Sequence, residues 1–170
     1  DIELMARLTE EALKAGAVGF TTSRSDQHKT LAGDLVPGRF AEHEELIAIG
    51  KAMGRAGVGT FGFLSDFNDE KEEWSWIREV AKESGRPVWF LLTDRSYDPQ
   101  RYQRLMDGVR ACRADNLPLY AQVAGRPVGL TLGLNHPRGA VAWGEAIGLA
   151  HVLATIDGLW SERREERYRA

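Results

Sequence analysis

Residues 16–46 read GAVGFTTSRSDQHKTLAGDLVPGRFAEHEEL, and the fold is decided there. Gly16 stands where a preceding helix stops. Ala17 to Thr22 make a short strand, and Ser23, Arg24, Ser25, Asp26, Gln27, His28 and Lys29 crowd the loop behind it. The loop closes through Pro37-Gly38, and a second helix starts near Glu42. Strand, polar loop and helix in that order are the repeating unit of parallel α/β proteins, which build their sites on such loops. A loop of about 20 residues is uncommon in a compact domain and tends to be functional.

Outward from this stretch, the same unit recurs. Upstream, residues 2–15 read as a helix with Met5, Leu8 and Ala12 on one stripe. Downstream, the helix at 42–56 carries Leu46, Ile49 and Met53 on one face and ends at Gly57. VGTFGFLSD, 58–66, is apolar beyond simple alternation, as a strand buried on both faces requires. Asp69 with Glu72 forms a capping box for a helix at 70–84, whose predicted buried stripe is Trp74, Ile77 and Ala81. Gly85 stops it, and PVWFLL, 87–92, is the third strand. Asp98-Pro99 supplies an N-cap and first helical position for a helix at 99–115, with Tyr102, Leu105, Val109 and Cys112 at helical spacing. Asn116 ends that helix, Leu119 to Val123 is the fourth strand, and Val128 to Leu132 extends or follows it.

Strand centres at Phe63, Phe90 and Ala121 are spaced as β/α units are. Strands alternating with helices imply a parallel sheet with right-handed crossovers. Four such units are half of a (β/α)8 barrel, or equally a small open doubly wound sheet. Length alone favours the open sheet, since a full barrel takes about 250 residues. After His136 the pattern breaks. Residues 1–136 therefore read as a β/α segment and 137–170 as a helical C-terminal extension, whose end, SERREERYRA, is nearly all charged.

With 170 residues, 43% hydrophobic and 28% charged, the chain has the makings of an ordinary globular domain. A net charge of -3 provides no electrostatic case for a nucleic-acid or membrane partner. The sole cysteine, Cys112, cannot form an internal disulfide and suits a reducing, cytoplasmic setting. There is no apolar run of transmembrane length. The chain opens directly on a helical pattern without methionine, which suggests a piece of something longer.

The strand ends supply the candidate site: Thr22, Ser23 and Arg24, then Ser65 and Asp66, Thr93 and Asp94, and Gln122 and Arg126. This polar rim suits an anionic or amide-bearing ligand. Asp66 and Asp94 either face that ligand or cap the helices that follow them. His28, beside Arg24 and Lys29, is placed to bind a carboxylate or move a proton, or else is an ordinary surface histidine. His43 reads as structural and His151 as packed. No His-x-His, Cys-x-x-Cys or His-Glu-x-x-His is present, nor a phosphate loop or nucleophile elbow, so no metal ligand is assigned.

The phrase EEALKAGAVGFTTSR, followed by HKT, VPGRFA, EEL and later AQVAGRPVGLTLGL, resembles the N-acyl-D-amino-acid deacylases, the D-aminoacylase branch of the amidohydrolase superfamily. The likeness covers roughly residues 1–135. It implies the middle strands of a metal-dependent (β/α)8 barrel of the amidohydrolase type, zinc in the parent protein, and hydrolysis of the amide of a small N-acyl-D-amino acid. It also implies that the loop from Ser23 to Pro37 borders the substrate pocket, with Ser23, Arg24 and His28 as substrate-binding candidates. Family members carry a metal-ligating histidine on each strand matching 58–66 and 87–94, and here both strands lack histidine. Asp66 or Asp94 could substitute as hard oxygen ligands, and these two are the catalytic candidates of the segment. The isolated chain is accordingly expected to be inactive. The rival expectation is a non-catalytic half-barrel whose open edges pair in a homodimer. A third reading is a small open-sheet enzyme acting on an anionic metabolite.

Overall fold

The computed structural model describes residues 1–93, 97–125, 145 and 148–163. The chain falls into two compact units, Asp1–Val123 and Ala124–Ala170. In the first, helices alternate with strands: α1 (Ile2–Lys14), β1 (Gly19–Arg24), a short 3-10 helix (Pro37–Phe40), α2 (His43–Ala56), β2 (Thr60–Ser65), α3 (Glu70–Ser84), β3 (Val88–Leu91), α4 (Arg101–Ala114) and β4 (Leu119–Gln122). The second contributes α5 (Leu149–Arg163), entered after Gly148. Asp94, Arg126, His136 and the stretch Val128 to Leu132 lie outside the described residues.

The four strands pair in the order β1-β2-β3-β4, all parallel. Right-handed crossovers between sequential neighbours put every connecting helix on the same side of the sheet. Burial agrees. Phe61, Phe63, Val88, Phe90 and Leu119 form one cluster with Leu13 of α1, Leu46, Ile49 and Met53 of α2, Trp76, Ile77 and Val80 of α3, and Leu105, Val109 and Cys112 of α4. Aromatic rings fill its centre, Phe63 packing edge-on to Trp76 at 4.8 Å and stacked on Phe90 at 5.7 Å. A doubly wound sheet needs a reversal of strand order to place helices on both faces. Among the described strands there is no such reversal.

The opposite face carries Ser23, Leu64, Trp89, Leu91, Tyr120 and Gln122, by strand alternation and register. Trp89 crosses it onto β2, where Gly62 makes room: a Cβ at Gly62 would stand 2.3 Å from the indole. The indole N–H of Trp89 donates to Thr60 Oγ1 at 3.3 Å.

Helix starts and stops follow the sequence closely. Gly57 and Gly85 adopt the left-handed conformation that ends α2 and α3. Asp69 accepts from the Glu72 amide at 2.9 Å, while the Glu72 carboxylate lies 3.2 Å from His43 Nε2 instead of returning to the cap. Three expectations shift. β1 begins and ends two residues later than its apolar run, because pairing with β2 starts at Gly19↔Thr60 and holds to Arg24↔Ser65. On α3 the fully buried tryptophan is Trp76, whereas Trp74 packs half-buried against Gly108 and Phe90. On α4 the cap is Gln100, and Arg101 takes the buried place expected of Tyr102, which is exposed.

Candidate functional site

The C-terminal ends of the strands bring Arg24, Ser65, Asp66, Thr93 and Gln122 to one end of the sheet. Position on the strand decides what each can do. Arg24 shares the parity of Phe20 and Thr22, so its side chain points to the helix side. There its Nε donates to Glu73 Oε1 at 2.9 Å, it donates to the Ala41 carbonyl, and the guanidinium stands 5.8 Å from the Trp76 ring centre. The side chains of Arg24 and Glu73 are only 10% and 8% exposed. Arg24 is thus a strut joining β1 to α3 and to the segment before α2. Ser23 projects from the opposite face, and its Oγ accepts from the Ser25 amide at 3.4 Å.

Asp66, at the end of β2, is 8% exposed and Ser25 is fully buried. Ser25 Oγ donates to Asp66 Oδ1 at 3.0 Å, and the Asp26 amide donates to Oδ2 at 2.7 Å. Asp66 therefore grips the loop behind β1 and does not cap α3, a role filled by Asp69. Its main-chain oxygen accepts from Arg101 at 3.0 Å, and Arg101 also donates to the Thr93 carbonyl at 3.3 Å. One buried arginine on α4 so ties the ends of β2 and β3 together. Phe67, at φ 49°, turns its ring beneath the Arg101 guanidinium, 5.7 Å away. Arg101 is a site residue that pattern reading missed. Its spacing to Leu105 and Cys112 is that of the buried stripe, but its chemistry argued for the surface.

Beyond Ser25 the loop forms a finger. Lys29 and Leu35 pair as an antiparallel bridge, and the Val36 amide donates to the His28 carbonyl at 3.3 Å. His28 lies on this exposed finger, while the side chains of Ser23 and Arg24 turn to opposite faces of β1.

A cleft of about 240 Å³ is lined by Asp66 together with Phe67, Asn68, Glu70, Tyr97, Asp98, Arg101 and Arg104. Arg104 bridges Glu70 at 2.9 Å and Asp98 at 2.7 Å across it. Arg104 holds the Asp98 carboxyl below the ordinary carboxylate range, the reverse of what a general acid at neutral pH needs. On the face opposite α1–α4 a hollow of about 500 Å³ lies over Trp89, Tyr120, Ala121 and Gln122. Among the described residues no group of three or more His, Cys, Asp or Glu side chains is arranged to hold a metal.

No family model, curated protein or solved structure matches the chain. The deacylase resemblance rests on the sequence phrases alone. No helix among the described residues is long and apolar enough to cross a membrane.

Proposed function

We propose that this chain is the middle part of a (β/α)8 barrel of the amidohydrolase type, in a protein that hydrolyses the amide bond of small N-acyl-D-amino acids. The observation that supports this best is the strand order β1-β2-β3-β4 with its helices gathered on one face. A barrel is built from such a singly wound sheet, its helix-free face turned inward. The deacylase-like phrases around Ser23–Arg24 and Pro37–Ala41 supply the substrate class.

Zinc, in a protein of this type, polarises the attacking water. The donor set here does not fit it. β2 and β3 offer no histidine, and both Asp66 carboxylate oxygens already accept hydrogen bonds from the loop. No hydrolytic step is therefore assigned to this segment, and a zinc site of the parent would draw on other segments. Under this reading the chain supplies one wall of the substrate pocket. The finger presents His28 and Lys29 as donors to a substrate carboxylate, and Ser23 offers a hydroxyl on the inward face. Arg24, committed to Glu73, orders that wall from behind.

Titration of the labelled chain with an N-acetyl-D-amino acid, followed by NMR, tests this. Shifts confined to residues 23–39, absent with the L enantiomer, and no turnover with added zinc are the expected results. Equal shifts with both enantiomers, or none with either, would remove the substrate assignment, and turnover would overturn the inactive-segment reading. A second reading, a non-catalytic half-barrel that pairs with a second copy, is favoured by the exposure of Leu91 and Tyr120 on the face opposite α1–α4 and of Val123 past the end of β4.

A further inference from the structure

The finger behind β1 combines an exposed body with a buried polar root. Residues 26–34 are all exposed, so the body adds little to the core. It nevertheless has internal order, from the Lys29–Leu35 bridge and the Gly33 amide donating to the Thr30 carbonyl at 3.0 Å. The root is different. Ser25 Oγ donates to Asp66 at 3.0 Å and accepts from the Gln27 amide at 3.1 Å, while the Asp26 amide donates to Asp66 at 2.7 Å. The returning leg adds Arg39, whose Nε lies 2.5 Å from Asp26 Oδ1. Among the described residues, the Asp66 carboxylate, just past the end of β2, carries the attachment on the outgoing leg.

Segments held by apolar burial open only with the core, whereas a segment held by a few polar contacts opens locally at lower free energy. We propose that Asp66 and Ser25 are a latch, and that the finger, residues 26–36, opens as a flap over the C-terminal ends of β1 and β2 while the sheet stays folded. Those strand ends are where parallel α/β folds receive ligands, so the latch sets access to that end of the sheet. Arg101 makes the device separable. It holds the Asp66 main-chain oxygen, so loss of the Asp66 carboxylate frees the finger and leaves the end of β2 in place. The inference stands whether or not the hydrolase reading holds.

Amide hydrogen exchange on the full chain tests it. In Asp66→Ala the Asp26 amide should exchange about tenfold faster or more, the scale set by losing a hydrogen bond to a charged acceptor, and the Gln27 amide, held by Ser25 Oγ, should exchange faster as the root loosens. The amides of Phe61 and Phe63 in β2 should keep their rates, and trypsin should cut after Lys29 sooner. Unchanged exchange at Asp26 and Gln27 would overturn the latch. A parallel rise at Phe61 and Phe63 would overturn it too, by making Asp66 part of the core. If Asp66→Ala does not fold, Ser25→Ala takes its place, read at Asp26, whose acceptor Asp66 remains, and by cleavage after Lys29: faster exchange with earlier cutting supports the latch, and unchanged exchange at Asp26 or a parallel rise at Phe61 and Phe63 overturns it.

Discussion

Alternation along β1 puts positions 20, 22 and 24 beneath the sheet, so the Arg24 guanidinium meets Glu73 and Trp76 before it can meet a ligand. Glu73 keeps its second carboxylate oxygen buried without a hydrogen-bond partner among the described residues. Removing one partner of such a pair leaves a charge stranded in low dielectric, whereas replacing both with apolar groups does not. Arg24→Met should therefore cost about 3–5 kcal/mol in urea denaturation, and Arg24→Met with Glu73→Leu should recover most of that loss. A cost below about 1 kcal/mol for the single change would mean that the pair is solvated after all. Asp66 makes the complementary point. It had two readings in the sequence, ligand-facing or helix cap; Asp69 takes the cap, and Asp66 lines the cleft while its carboxylate grips Ser25 and Asp26.

Among the elements, α4 shows how far periodicity carries. Leu105, Val109 and Cys112 are buried as their spacing predicts, and the fourth place on that stripe belongs to Arg101. Its burial is sustained by two strand-end carbonyls and the Phe67 ring, which no local pattern reveals. Cys112, at the other end of the stripe, has its thiol pushed up chiefly by burial, with Arg78 opposing the shift. A thiol that ionises later in the folded than in the unfolded chain contributes stability that is complete at neutral pH. That contribution is lost as pH rises through the folded value. The urea midpoint should accordingly fall from neutral to alkaline pH, and fall less in Cys112→Ala. Identical slopes for the two proteins would assign the alkaline loss to other groups.

At the scale of the whole molecule, one face of the sheet is covered by α1–α4 and the other presents Trp89, Leu91 and Tyr120. A parallel sheet is ordinarily buried on both faces, so this surface calls for a cover. If a second copy supplies it, sedimentation should show a concentration-dependent dimer that Tyr120→Lys converts to monomer. A monomer at every concentration would retire the self-pairing reading and leave the cover to the chain's own second unit or to further barrel segments. The four-stranded parallel sheet was legible in the sequence, because each strand follows a glycine or asparagine helix stop, Gly16, Gly57, Gly85 or Asn116, at β/α spacing. The candidate site was less so, since a strand end names a residue without saying which way its side chain turns.

Local chemistry determined the elements of this protein. Gly57 and Gly85 end helices because they take positive φ, Asp69 starts one because its carboxylate meets a free amide, and apolar runs make the buried strands. Tertiary structure alone decided the parity of Arg24, the burial of Arg101 and the partnership of Asp66 with Ser25, 41 positions apart. The physical reason is range. Caps and periodicity act within a few residues, whereas a charge is buried only when partners distant in sequence arrive at the right distance to satisfy it.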